Sequence, residues 1–234
     1  MKKTLIFILA FLSSLQIYAL TAYEGSYDLY AKTKMGNLKI GIATLVLEVN
    51  ENHFVFNTEA TTGSLWKVLY DYSRFEKSVG DEIDGQIINT YFSVIERIKD
   101  EVKKNYEIQI ITDKNYALAL SSTGEQWKVE PGLLVDQLSV YLALANDIRK
   151  KPDQLEFTYQ VVDQDGVEYL KFIVDGFESI NINENEIETI KVYCEELHLT
   201  LNLSLHNNFQ PVTIRKINGK NEFIMILKEF SSSS

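Results

Sequence analysis

The chain has 234 residues, 45% of them hydrophobic, and a formal net charge of −10 at pH 7. A chain of this length can bury a sufficient core without disulfides, and Cys194 is its single cysteine. The acidic surface repels phosphate backbones, which argues against nucleic acid as a partner. Because Cys194 lies in an alternating run, we expect it to be a buried packing residue rather than a reactive thiol.

The first element in chain order is a predicted secretory signal peptide over residues 1–19. Two lysines form its positively charged start, an apolar run extends from Thr4 to Leu15, and Ala19 ends a candidate cleavage site. The apolar run is shorter than the ~20 residues of a transmembrane helix, and no cysteine follows it for lipid attachment. The sequence therefore predicts a periplasmic, non-lipidated mature chain without a transmembrane segment.

The rest of the chain alternates apolar and polar residues in one run after another, which is typical of antiparallel strands joined by short polar turns. Asp163 to Gly166 resembles the start of a calcium loop, but Val174 occupies the twelfth position, so a hairpin turn explains it better. The predicted strands span 23–31, 38–49, 54–60, 72–79, 87–99, 103–112, 116–121, 126–129, 155–162, 168–174, 187–205 (two strands), 211–217 and 223–230.

Two segments depart from this alternation. Residues 63–70 suit a short helical turn or an irregular plug. A second segment has apolar residues spaced by three and four, which predicts an amphipathic helix of about four turns over 133–148. Asp136 is then expected in the first turn of this helix, where free backbone N–H groups favour a carboxylate. The residues that carry the spacing are Leu134, Leu138, Tyr141, Leu142, Ala145 and Ile148.

About a dozen antiparallel strands and one long helix predict a mainly β fold. A sheet of this size must curl, close or split, and its edges must be covered. We predict a single β-rich domain over residues 20–234, in which a large curved antiparallel sheet, or half-open barrel, wraps on the long helix. A second short helical segment accompanies it. A two-sheet sandwich with a peripheral helix is the alternative.

The sequence contains no evident catalytic constellation. It has no Gly-x-Ser-x-Gly nucleophile elbow, and its three histidines, His53, His198 and His206, lie far apart in sequence. We expect surface or packing roles for these histidines. The sequence therefore predicts no enzyme activity, no cofactor and no metal site.

Five stretches of the chain carry a further signal: Tyr27–Gly41, Ser73–Tyr91, Val135–Arg149, Val174–Val192 and Phe209–Lys216. Taken together, they resemble the bacterial family known as domain of unknown function 3108. The resemblance implies an exported envelope protein and an all-β build with an inserted helix, similar to the fold of periplasmic lipoprotein-carrier proteins. It implies no catalytic residues. The chain departs from the family pattern near Asn89-Thr90, where a proline is expected.

The aromatic content, 13 tyrosines, 12 phenylalanines and two tryptophans, is the strongest functional signal. Aromatic and aliphatic walls with few charges suit an apolar ligand such as a lipid or acyl chain, although a packed β core with tyrosines on its wet faces also explains them. The first hypothesis is a non-enzymatic binding or carrier module. Its predicted pocket is lined by Trp66, Leu69, Tyr70, Trp127, Leu138, Tyr141 and Leu142.

The alternative function is a structural or assembly partner that presents a sheet edge to another envelope protein. A hydrolase ranks last. A cavity of several hundred Å³ between helix and sheet would favour the carrier. A filled interior with one long unpaired edge would favour the assembly partner.

Overall fold

The computed structural model of the chain describes residues 20–34, 36–67, 70–113, 115–129 and 134–232. The predicted signal peptide over residues 1–19 lies outside the described residues, as does Leu69.

All fifteen described strands belong to one sheet. In the first half of the chain they are β1 (Tyr23–Thr33), β2 (Gly36–Asn50), β3 (His53–Thr62), β4 (Tyr72–Ile83), β5 (Gln86–Ile98), β6 (Glu101–Thr112), β7 (Ala117–Ser121) and β8 (Gln126–Val129). In the second half they are β9 (Leu134–Asp136), β10 (Glu156–Asp163), β11 (Gly166–Ile182), β12 (Asn185–Cys194), β13 (Leu199–Ser204), β14 (Pro211–Asn218) and β15 (Asn221–Ser232).

The strand order is β8-β7-β6-β5-β4-β3-β2-β1-β15-β14-β13-β12-β11-β10-β9. Every described pairing is antiparallel except that of β9 with β10, which is parallel. The prediction of a mainly β chain with one large sheet is confirmed. The alternation that predicted it is visible in β2, where Ala43, Leu45 and Leu47 are buried on one face while Thr44 and Val46 lie on the other.

Strand β11 is longer than predicted. It continues past Val174 through a register shift at Gly176, whose φ of 110° suits glycine. Residues 175–188, the distal parts of β11 and β12 with their turn, are called the hairpin arm below. At its tip the side-chain amide of Asn183 donates to the Lys228 carbonyl at 3.2 Å, and Ile182 is 9% exposed. The arm thus lies against β15.

The helical prediction is wrong at its start. Leu134–Asp136 forms β9, and helix α2 begins six residues later at Val140 and ends at Lys150. Leu134 and Val135 are apolar because β9 is buried against β10 and β5, and their helical spacing is coincidental. A single helical turn, α1 (Ser64–Lys67), lies beside β2.

Helix α2 contacts β5, β9 and β10. Its C-terminal end docks on the β4–β5 turn, where Asn146 Nδ2 donates to the Gly85 carbonyl at 2.6 Å and Lys150 Nζ donates to the same oxygen. The buried residues of α2 include Leu144 and Ile148. They join a continuous apolar core that also contains Cys194, whose predicted packing role is confirmed. Burial raises the pKa of the Cys194 thiol to about 11.

Candidate functional site

The residues predicted to form one apolar pocket lie in several places. Tyr141 and Leu142 border a cavity beside α2 with a volume of about 20 Å³. Leu138 is buried in the core at 3% exposure. The cavity has room for about one water molecule and is far smaller than a lipid site. It is lined by Leu20, Thr21, Tyr23, Leu47, Tyr141, Leu142, Ala145, Asn146, Arg149, Asn208, Phe209 and Pro211.

The predicted aromatic wall residues lie away from this cavity. Trp66 donates its indole N–H to the Lys39 carbonyl at 2.9 Å. Tyr70 is 51% exposed and stacks on Tyr72 with ring centroids 6.1 Å apart. Trp127 is half-buried in β8. The described residues therefore do not bring the predicted set together in one pocket.

A buried polar cluster surrounds Asp136. Its Oδ2 accepts hydrogen bonds from Ser78 Oγ at 2.6 Å and from Asn89 Nδ2. Its Oδ1 accepts from the backbone N–H groups of Leu138 at 2.7 Å and Ser139 at 2.8 Å. The side chains of Ser78, Asn89, Asp136 and Ser139, called the Asp136 cluster below, are at most 1% exposed. Asp136 thus organises the turn before α2 rather than its first turn.

The Asp136 cluster connects strands that are distant in the sheet order. Asp136 ends β9 at one edge of the sheet, whereas Ser78 and Asn89 lie in β4 and β5 in the other half. The side-chain amide of Asn89 in β5 reaches across to Asp136 at the end of β9. The cluster therefore holds the β9 edge against the opposite half of the sheet.

Burial decides the charge state of Asp136. Desolvation raises the pKa of its carboxyl from 3.8 to about 6, although its hydrogen bonds to Ser78, Ser139 and Leu138 oppose that shift. The folded state therefore holds this proton more tightly than the unfolded state, and the resulting stability is fully present below pH 3.8 and lost as the pH rises through 6.

We expect the free energy of unfolding to rise by about 1–1.5 kcal/mol from this group alone when the pH falls from 7.5 to 5, because one pKa unit corresponds to about 1.4 kcal/mol. Urea denaturation at both pH values, compared between the wild type and Asp136→Asn, isolates the contribution. The interpretation fails if both proteins show the same pH dependence.

A second polar cluster lies on one face of the three neighbouring strands β3, β4 and β5. Arg74 forms ion pairs with Glu76 at 2.6 Å and Glu96 at 2.7 Å, and Thr58 Oγ1 donates to Glu76 Oε2 at 3.1 Å. Burial lowers the pKa of the Arg74 guanidinium, but the carboxylates of Glu76 and Glu96 outweigh this effect and raise it overall. Because they also neutralise its charge, Arg74 is poorly suited to bind an anion. The spacing of Arg74 and Glu76 indicates that they share one strand face. Their pairing with Glu96 in β5 is not visible in the sequence.

The histidines contact carboxylates or lie in turns. His53 contacts Asp81 at 3.0 Å and His206 contacts Glu188 at 2.9 Å. His198 lies in the turn between β12 and β13 with a φ of 47°. Within the described ranges, no three His, Cys, Asp or Glu side chains are arranged to hold a metal ion. Asp163 Oδ1 accepts from the backbone N–H of Asp165 at 2.8 Å, which confirms the predicted hairpin turn.

The sheet edges differ in how well they are protected. The terminal strand β8 is short, and β9 is short and buried. The part of β6 beyond its pairing with β7 carries Lys103 and Lys104, which discourage strand addition. The long edge of β11 from Asp175 to Ile182 pairs with β12 on one side, and no described strand pairs with it on the other.

Backbone direction makes this β11 edge suitable for pairing. Thr189 Oγ1 donates to the Glu178 carbonyl at 2.7 Å, so that carbonyl faces β12. Because alternate residues of an antiparallel strand face opposite neighbours, the N–H and C=O groups of Phe177, Ser179 and Asn181 face the open side. The Phe177 side chain is 73% exposed. It borders an open groove of about 320 Å³ lined by Phe177, Glu178, Ser179, Glu188, Thr189 and Leu205.

Neither described helix is both long and apolar enough to cross a bilayer. No family model matches the chain, and no curated protein matches it. The structure is similar to that of a beta-barrel-like protein of domain of unknown function DUF1849 from Brucella abortus, with a TM-score of 0.64 and 11% sequence identity. The match covers 92% of this chain and 99% of that chain. At this identity the likeness shows the fold alone, a mainly β, barrel-like domain.

Proposed function

We propose that the chain is an exported, non-enzymatic envelope protein that assembles with another protein through the free edge of β11. The observation that carries the proposal is the unpaired edge from Asp175 to Ile182 with the exposed Phe177 at its centre. Addition of a strand to such an edge supplies backbone hydrogen bonds, and adjacent side chains supply specificity. Export rests on the predicted signal peptide over residues 1–19.

The fold proposed for this function is a half-open barrel, a single domain in which the sheet curves about α2. The Asp136 cluster and the contacts of α2 with β5, β9 and β10 support it. Membership of the domain of unknown function 3108 family stays a prediction.

The carrier of an apolar ligand is less well supported. Such a site requires several hundred Å³, whereas the cavity at Tyr141 and Leu142 measures about 20 Å³. A carrier would need α2 to move away from the sheet. The geometry thus favours the assembly partner, and lipid binding stays a prediction.

Photocrosslinking in the source organism tests the proposed function. A benzoylphenylalanine placed at Phe177 or Ser179 is expected to give one discrete adduct with the same protein, because both positions lie on the open edge. Tyr169 is the matched control: it lies in the same strand, is 63% exposed, and pairs with Gln160 of β10, outside the free edge from Asp175 to Ile182. We expect no adduct there.

The proposed function is wrong if positions 177 and 179 give no adduct, or if all three positions give the same products. A lipid that copurifies with the exported protein in native mass spectrometry would support the carrier instead.

A further inference from the structure

The hairpin arm is rich in acidic residues. Residues 175–188 contain five acidic residues and no lysine, arginine or histidine. Two of the five have basic partners from outside the arm: Asp175 pairs with Lys191 at 2.6 Å and Glu188 with His206 at 2.9 Å. The charge therefore remains negative along the arm, whose exposed side also carries Glu186.

The charge lies close to the open edge. Register places Glu188 beside Ser179 and Glu186 beside Asn181, so each pair shares one face of the arm with Phe177. A strand added to β11 would lie about 4.8 Å from it and about 10 Å from β12, which carries Glu186 and Glu188. The long side chains of lysine or arginine on that strand could cross the short Ser179 and Asn181 to reach these carboxylates.

The same charge disfavours two other occupants. A second copy paired edge to edge would bring two acidic arms together, and like charges across strands are destabilising. An anionic membrane surface would be repelled for the same reason.

We propose that the occupant of the β11 edge is an extended segment of a partner protein that alternates basic and apolar residues. This inference rests on the proposed function and adds the chemistry of the partner. The basic residues lie on the face that carries Phe177, Glu186 and Glu188, and the apolar residues lie on the opposite face beside Ile180. Backbone groups of the segment pair with those of Phe177, Ser179 and Asn181.

The probe is the synthetic peptide Lys-Val-Lys-Val-Lys-Val-Lys, compared with its counterpart in which every lysine is glutamate. Hydrogen–deuterium exchange of the chain over residues 20–234 is expected to show protection of residues 175–182 with the lysine peptide and none with the glutamate peptide. Raising the salt from 20 to 200 mM should weaken binding, because exposed charge pairs are screened.

Charge reversal provides the matched variants. E184K/E186K is expected to weaken binding of the lysine peptide at least tenfold. E101K/E168K changes the net charge equally at exposed positions outside the arm and is expected to leave binding unchanged.

The inference is overturned by equal binding of both peptides, by protection confined to another region, by absence of protection, or by an equal effect of the two variants. It is also overturned if arm protection rises with protein concentration alone, which would identify a second copy as the occupant. Each of these outcomes leaves the crosslinking result as a separate test of the edge function.

Discussion

Replacing Asp136 by alanine is expected to lower the free energy of unfolding by about 3–5 kcal/mol. The change leaves three buried donors without their acceptor, namely Ser78 Oγ and the N–H groups of Leu138 and Ser139, whereas Asn89 Nδ2 still donates to Ser78 Oγ at 2.8 Å. An orphaned buried donor costs about 1–3 kcal/mol, and partial relaxation reduces the sum. Urea denaturation of residues 20–234 at pH 7 measures the effect.

Asp136→Asn is the control for this experiment. Its carbonyl can still accept from Leu138 and Ser139. After rotation of the Asn89 side-chain amide, its own amide can donate to Asn89 Oδ1, which has no hydrogen-bond partner among the described residues. We expect a loss of less than about 2 kcal/mol, within the range of a single altered hydrogen bond. If the alanine variant is as stable as the wild type, the Asp136 cluster does not hold the β9 edge.

Replacing Leu144 by alanine has the second large expected effect, a loss of about 2–5 kcal/mol, because it empties a fully packed site. Leu144 is 0% exposed in the middle of α2. The same denaturation experiment, followed by circular dichroism, measures it.

Leu155→Ala removes the same atoms from a side chain that is 60% exposed. Its expected effect is below about 0.5 kcal/mol. If both variants lose equally little, α2 is not part of the packed core, and the proposed half-open barrel about α2 is wrong.

Alternation of apolar and polar residues predicted most strands because one face of each lies against the core. The β10–β11 turn was predictable because Asp163 caps it locally. The extension of β11 was missed because the hairpin arm exposes residues on both faces, as Phe177 and Glu178 show. The alternation of apolar and polar residues therefore does not indicate a strand in the hairpin arm.

The site residues were harder to predict than the strands. Tyr141 and Leu142 line one cavity because they are neighbours on α2, whereas Trp66, Tyr70 and Trp127 lie on separate parts of the sheet. The Asp136 cluster joins residues 47 and 58 positions apart, and sequence spacing cannot reveal such contacts. The sequence predicted a sheet edge as a possible interaction site, but it did not identify β11 as the strand that provides it. Which strand edge remains unpaired depends on the whole topology.

The position of β1 has a consequence for folding. It lies in the middle of the strand order and pairs with β15, so Tyr23 is opposite Ser232. The two halves of the sheet, β1 to β8 and β9 to β15, meet at this central seam between the first and last strands. The seam closes the longest loop in the chain, and contacts of such high sequence separation form slowly. Each half can therefore assemble its hairpins early, but the continuous sheet forms after the final strand has become available.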